Sequence, residues 1–261
     1  MDKDKQEIIN RFYKNVKGKR SDTSNSNKRH DGAEGHWLEK QMGVTPNADN
    51  KPDLFGYEMK NQTTSGKTTY GDWMADEYIF IHGRPEKRHV TNNNYNLSKD
   101  DFLRIFGKAN INKGGRLSWS GEPCPTYFEQ CTNYGQKLDI DNNNVIITYN
   151  YSLDKRENKN KIVPLELQLN NLIIAKWSHA SLKEKVENKF NQKGWFKCKK
   201  DTSGYYNNIC FAPPINFNTW IDLYKKKLVF FDSAMNQGTS RNRSQWRSNN
   251  TFWDSLITDI Y

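Results

Sequence analysis

Cysteine is scarce in this chain of 261 residues, and Cys124, Cys131, Cys198 and Cys210 contain no Cys-x-x-Cys pair. That spacing offers no zinc site and leaves free thiols as the expectation. The five histidines, His30, His36, His82, His89 and His179, are scattered, with no two at metal-ligand spacing. Nowhere do eighteen apolar residues run together, so no segment reads as a spanning helix. A Walker-type phosphate loop is also missing, and no ATP dependence is expected. Met1-Asp2-Lys3-Asp4-Lys5 leads into Ile8, Ile9 and Phe12 at helical spacing, without the apolar stretch of a secretory signal. The expectation is a cytoplasmic protein with no membrane partner.

Positive charge and aromatic residues are plentiful. Lys and Arg number 40 against 30 Asp and Glu, a formal charge of +10, which favours a polyanionic partner, nucleic acid before anionic membrane. Hydrophobic content is modest at 34%, but 13 Tyr, 13 Phe and 8 Trp supply much of it. Large aromatics bury enough surface per residue for a compact core. The length allows one large domain or two lobes.

The stretch richest in chemistry is Pro52-Asp53-Leu54-Phe55-Gly56-Tyr57-Glu58-Met59-Lys60. Strand alternation sends Glu58 and Lys60 to one face and Tyr57 and Met59 to the other, into a core. A bend at Gly56 can fold Asp53 back beside Glu58. Two carboxylates suit Mg²⁺, a hard cation that takes oxygen ligands and keeps several waters. An ammonium beside it can orient or deprotonate a water for attack on a phosphate. Glu-x-Lys recurs as Glu157-Asn158-Lys159 in a polar turn and as Glu187-Asn188-Lys189 on an amphipathic helix. Neither has an aspartate placed before it on a strand, and both read as solvated pairs.

Upstream, residues 32–43 read as a short helix closed by Gly43, with Glu39 projecting from it fourteen residues before Asp53. With Glu39, Asp53, Glu58 and Lys60 in this order, the chain resembles the PD-(D/E)xK nucleases, in the branch that holds MutH, MvaI and BcnI. The resemblance is specific over residues 32–63 and weaker beyond. It implies an α/β (mixed α+β) fold, a restriction-endonuclease-like core with a second DNA-gripping lobe. It also implies that Asp53, Glu58 and the Met59 carbonyl bind Mg²⁺, with Mn²⁺ as a substitute, and that Lys60 activates the water. Glu39 would serve a second metal or a water on it. The implied protein is a monomer that cuts double-stranded DNA at a short CC…GG-type site. A cognate DNA methyltransferase would belong to the same system without forming a stable complex with it.

A coarse division gives a catalytic lobe over residues 1–150 and a DNA-recognition lobe over 151–261. Helices are predicted over Gln6–Val16, Lys99–Phe106 with Ser98 as N-cap, Leu182–Phe190 and Thr219–Lys226. Strands are predicted at Glu77–Ile81, Val145–Tyr149, Ile173–Trp177, Trp195–Phe196 and Ile209–Ala212, and Leu165–Leu169 is expected to close a hairpin with Val145–Tyr149. Mixed elements in this order fit an α/β or α+β fold.

Several segments read as DNA contacts. Lys17–Asp31, with Lys17, Lys19, Arg20, Lys28 and Arg29, is either a plain surface loop or an arm that orders on phosphates. Gly114 to Gly121 sets Arg116 and Ser118 among glycines, as a phosphate contact or as a simple hairpin turn. His179, at a strand-to-helix junction, is the histidine best placed for DNA. Between Asp232 and Arg247, Asn236, Arg241, Arg243 and Arg247 have the chemistry to read base edges. The related enzymes use a C-terminal histidine for recognition. This chain has none after His179, which leaves the central base pair of the target unassigned. Two other functions stay open: a MutH-like methylation-directed nickase, and a non-catalytic DNA-binding protein on the same fold.

Overall fold

The computed structural model describes residues 2–24, 32–45, 49–61, 63, 65–81 and 95–261. Lys28, Arg29, His30, His82 and His89 lie outside the described residues. The chain opens with helices α1 (Lys3–Asn15) and α2 (Ala33–Met42) and strand β1 (Tyr57–Met59). Next come β2 (Lys67–Asp72), β3 (Glu77–Tyr78), α3 (Lys99–Phe106), β4 (Lys108–Asn110) and β5 (Arg116–Trp119). A meander follows through β6 (Tyr134–Asp141) and β7 (Asn144–Asp154), then α4 (Lys159–Ile162), β8 (Leu172–Trp177) and α5 (His179–Phe190). The remainder is β9 (Gly194–Lys200), β10 (Tyr206–Ala212), α6 (Phe217–Lys225), β11 (Phe230–Ser233), β12 (Met235–Asn236), β13 (Ser244–Asn249), α7 (Asn250–Ser255) and β14 (Asp259–Ile260).

Two compact units are interleaved in sequence. The first comprises Met1–Thr68, Glu184–Trp220 and Asn249–Tyr261; the second comprises Thr69–Lys183 and Ile221–Ser248. The chain therefore passes from one to the other several times, whereas the sequence suggests a single boundary near residue 150. A composition-based boundary cannot detect segments that return, because each return falls inside an ordinary helix or strand.

In the first unit the sheet order is β1-β9-β10-β14, with β1 parallel to β9 and the other pairs antiparallel. Asp2 caps α1 by accepting the Asp4 amide at 3.3 Å, which starts the helix three residues earlier than expected. Ile8, Ile9 and Phe12 of α1 pack with Leu38 and Met42 of α2 against Tyr57, Met59, Phe196, Ile209 and Phe211 of the sheet. Helix α2 stops at Gly43, whose φ of 77° is the left-handed conformation read from the sequence.

The second unit holds an antiparallel sheet β3-β8-β7-β6 and smaller sheets β12-β5-β4 and β11-β13-β2. Its core is aromatic: Phe102 meets Trp119 at 5.1 Å, and Trp177 meets Phe231 at 5.0 Å and Trp246 at 5.3 Å between ring centres. Ser98 is the N-cap of α3, as expected, and Asp101 completes a capping box with it. The predicted hairpin of Val145–Tyr149 with Leu165–Leu169 does not form. Strand β7 pairs with β6 and with β8, and Leu165–Leu167 is a 3-10 turn behind Pro164. Asn142 and Asn143, at φ 46° and 65°, make the tight turn that draws β6 into the hairpin instead.

A second tight turn positions the residues that matter most. Leu54 and Tyr57 exchange backbone hydrogen bonds of 3.0 and 2.7 Å across Phe55 and Gly56, at φ 50° and 84°. Positive φ at both central residues is the pattern of a type I′ turn. A Cβ on Gly56 would also stand 3.2 Å from Cγ of Lys193. Gly56→Ala is expected to cost about 1–2 kcal/mol of stability, read as a lower denaturant midpoint. An unchanged midpoint would show that this turn carries no strain.

Candidate active site

Pro52 and the Phe55-Gly56 turn fold Asp53 onto the strand that follows it. Oδ2 of Asp53 accepts the Met59 amide at 2.8 Å. The Lys60 amide is taken by the Phe196 carbonyl at 2.8 Å. Alternation along a strand therefore turns the Met59 amide and carbonyl away from β9. Because β1 ends its sheet, that side is the sheet's open edge, and Asp53 sits there.

Glu58 and Lys60 lie on the face opposite Tyr57 and Met59, as alternation predicts, and this face is buried as well. Glu58 is 2% exposed and Lys60 7%. The Lys60 ammonium donates to Oε1 of Glu58 at 2.8 Å. It lies 5.0 Å from the centre of the Phe190 ring and 6.0 Å from that of Trp253. Trp253 packs edge-on against Trp195 at 4.9 Å, and Trp195 is the register partner of Glu58. Oε2 of Glu58 is buried and has no hydrogen-bond partner among the described residues.

Burial dominates the electrostatics. It raises the Asp53 carboxyl to about 6, helped by the Glu58 charge and opposed by the Met59 amide and the lysines. It pushes the Lys60 ammonium below the ordinary lysine range against the pull of Glu58. Glu39, half-buried on α2, is raised first by burial, with the Glu58 charge adding to the rise and His36 and Lys60 opposing it. All four residues singled out in the sequence thus belong to one electrostatic neighbourhood.

The sequence reading missed a fifth member. Nζ of Lys189, on α5, stands 3.2 Å from Oε1 of Glu58. Glu187-Asn188-Lys189 was expected to be a solvated pair. The available signal was helical: Leu182, Val186 and Phe190 form the buried stripe of α5, and Lys189 flanks it. The other spare Glu-x-Lys is structural, because Lys159 donates to the carbonyls of Tyr151 and Asp154 at 2.9 and 2.8 Å.

Among the described residues no group of three or more His, Cys, Asp or Glu is gathered closely enough to hold a metal ion. The donors present still fit a hard divalent cation. Asp53, the unpartnered Oε2 of Glu58 and the Met59 carbonyl offer oxygen donors, and Mg²⁺ typically binds one or two carboxylates and keeps waters for the rest. Glu39, Asp53 and Glu58 also outnumber Lys60 and Lys189 by one charge, so the group is short of positive charge.

The residues expected to touch DNA divide by exposure. Arg116, Arg241 and Arg243 are exposed; Arg241 pairs with Asp72 at 3.1 Å, while Arg243 has no ion pair among the described residues. Arg247 instead forms a half-buried pair with Asp232 at 2.9 Å. Ser118 is 5% exposed, paired in register with Asn236 inside a sheet, and its hydroxyl does not reach the surface as expected. Asn236 donates to the Ala234 carbonyl at 3.0 Å. The amide of His179 donates to Asn144 at 3.0 Å, and its ring is half-buried. In the basic loop, Arg20 is held by the Ser203 carbonyl at 2.7 Å and by the Tyr205 ring.

Residues 16–261 match the family model described as LlaMI restriction endonuclease. Over 272 aligned residues, covering all of both chains, the sequence is 44% identical to the type II restriction enzyme ScrFI of Lactococcus lactis subsp. cremoris. Among solved structures it is similar to the restriction endonuclease MvaI–cognate DNA substrate complex. The TM-score is 0.54 and the identity 12%, over 100% of this chain and 98% of that one. That likeness shows a shared fold, the PD-(D/E)xK type expected from the motif. No helix among the described residues is long and apolar enough to cross a membrane.

The raised Asp53 carboxyl has a measurable consequence. A carboxyl whose folded value, about 6, exceeds its unfolded value of about 3.9 adds stability that is complete below about pH 4 and lost as pH rises through about 6. In EDTA, Asp53→Asn should therefore melt higher than wild type at pH 8, and the gap should shrink at pH 5. A variant that melts lower at pH 8 would show that Asp53 is not destabilised by its surroundings.

Proposed function

The chain belongs to the LlaMI restriction endonuclease family, and from that premise we propose that it cuts double-stranded DNA at a short specific sequence with the help of Mg²⁺, or of Mn²⁺ in its place. It is a type II restriction endonuclease. The observation that carries the catalytic assignment is the buried Glu58–Lys60 pair, with Asp53 folded onto the same edge strand. Asp53, Glu58 and the Met59 carbonyl would hold the cation, with Glu39 serving a second cation or a water beside it. Such a cation, when bound, acidifies water and neutralises charge on a phosphate.

The chain's own residues supply the rest. Phe190 and Trp253 pack beside Lys60, and burial disfavours its charged form, which suits a group that orients or deprotonates an attacking water. In the reaction the water oxygen bonds to phosphorus, one phosphorus–oxygen ester bond breaks, and the departing oxygen takes up a proton. Recognition is assigned to the second unit, through Arg116, His179, Arg241 and Arg243. We read the target as CC…GG in type and the enzyme as a cytoplasmic monomer. The cognate methyltransferase of its system forms no stable complex with it.

Lys60→Ala is expected to slow the chemical step by about 10²–10⁴-fold while leaving affinity for specific DNA nearly unchanged. Wild-type cutting should stop in EDTA, and Ca²⁺ should support binding with little cleavage. Folded Lys60→Ala protein that cuts at the wild-type rate, or full activity in excess EDTA, refutes this active site. Sequencing the ends of digested plasmid identifies the target.

The arginines are expected to behave differently from one another. Arg243→Ala, if it removes a phosphate contact, should lower the salt slope of binding by about one unit for all sequences. If it removes a base contact, it should cost about 1–3 kcal/mol at one base pair. Arg247→Ala should instead lower the melting temperature, because it removes the half-buried ion pair with Asp232. Unchanged DNA binding by both Arg241→Ala and Arg243→Ala would move the reading surface to Arg116 and His179.

A further inference from the structure

We infer that Lys189 is a further residue of the active site: its ammonium balances Glu58 while no cation is bound and engages the scissile phosphate once one is. The inference rests on the endonuclease reading above and concerns a residue outside the Glu39, Asp53, Glu58, Lys60 set.

Three observations support it. The ammoniums of Lys60 and Lys189 both approach the same oxygen, Oε1 of Glu58, at 2.8 and 3.2 Å, while Oε2 has no hydrogen-bond partner among the described residues. A purely structural pairing would spread two cations over both oxygens, because like charges this close repel. Lys189 is also not a wandering surface side chain: it is 19% exposed. Finally, its helix is pinned on both sides. Val186 and Phe190 are fully buried, the Lys185 carbonyl accepts from Asn50 at 2.8 Å, and Glu187 accepts the Phe217 amide at 2.8 Å.

Charge counting then indicates the partner. Glu39, Asp53 and Glu58 against Lys60 and Lys189 leave the metal-free set with one negative charge. A divalent cation on the carboxylates leaves one positive charge in surplus. A phosphodiester brings one negative charge, and attack by hydroxide raises it to two in the transition state. Two fixed ammoniums match that developing charge, and groups that bind it more strongly than the ground state accelerate the reaction. Lys60 attends the water, and Lys189 is left for the phosphate oxygens.

The test is paired, on the full-length protein. Mn²⁺ binding is measured by calorimetry without DNA, and single-turnover cleavage of plasmid is measured at saturating Mn²⁺. Lys189→Met removes a positive charge beside a cation ligand, so it should bind Mn²⁺ about tenfold more tightly. The same variant should cut at least about tenfold more slowly. Lys189→Arg keeps the charge and should show wild-type Mn²⁺ affinity with partial cutting. Loss of a merely structural residue would weaken both properties together, so opposite movement is the signature. If Lys189→Met does not fold, Lys189→Gln takes its place under the same expectations. Mn²⁺ affinity at or below wild type in the neutral variant, or cleavage at the wild-type rate, overturns the role of Lys189 alone. If the wild-type protein binds no Mn²⁺, the metal-dependent reading fails and this inference falls with it.

Discussion

Charge held out of water at the edge of a sheet is the constraint on which the rest of the first unit depends. Glu58 and Lys60 are nearly inaccessible to solvent, Asp53 is folded against them, and Lys189 closes the group. Such a cluster costs desolvation energy that its ion pairs recover only with good geometry. The surrounding structure supplies that geometry. The Phe55-Gly56 turn places Asp53, the α1 and α2 core fixes Tyr57 and Met59 on the opposite face, and Phe190, Trp195 and Trp253 wall off the lysine side.

The arrangement is one that only function explains well. A buried carboxylate oxygen without a partner and an aspartate raised to about 6 both oppose folding of the metal-free chain. Sites that bind a cation commonly carry such local cost, because the same groups that repel each other attract the ion. In the second unit the buried carboxylate of Asp154 is instead engaged by Arg156 at 2.6 Å and the Tyr149 hydroxyl at 2.8 Å. The buried Gln136 there is satisfied at both ends, by the Trp119 indole at 2.7 Å and the Phe106 carbonyl at 2.6 Å.

Strand β1 and the turn before it were legible because their information is local. Pro52, Gly56 and the alternation of Tyr57, Glu58, Met59 and Lys60 dictate a turn, a face and a spacing within nine residues. The helix ends at Ser98 and Gly43 were legible for the same reason. The place of Lys189 was not, because it depends on a tertiary contact between α5 and Glu58 of β1, which no pattern inside Glu187-Asn188-Lys189 reveals. The β6–β7 hairpin was hidden behind a competing apolar run at Leu165–Leu169, where Pro164 breaks the ladder. Ser118 and Arg247 looked like surface groups by type, but strand register buries the first and Asp232 engages the second.

The account turns on whether a divalent cation is held by Asp53, Glu58 and the Met59 carbonyl. Anomalous diffraction from crystals of the protein grown with Mn²⁺ and duplex DNA tests this directly. The expected result is an Mn²⁺ peak in contact with the Asp53 and Glu58 carboxylates and absent in Asp53→Asn crystals. A well-ordered complex with no peak at these residues, or with Mn²⁺ held elsewhere along the DNA, would contradict it.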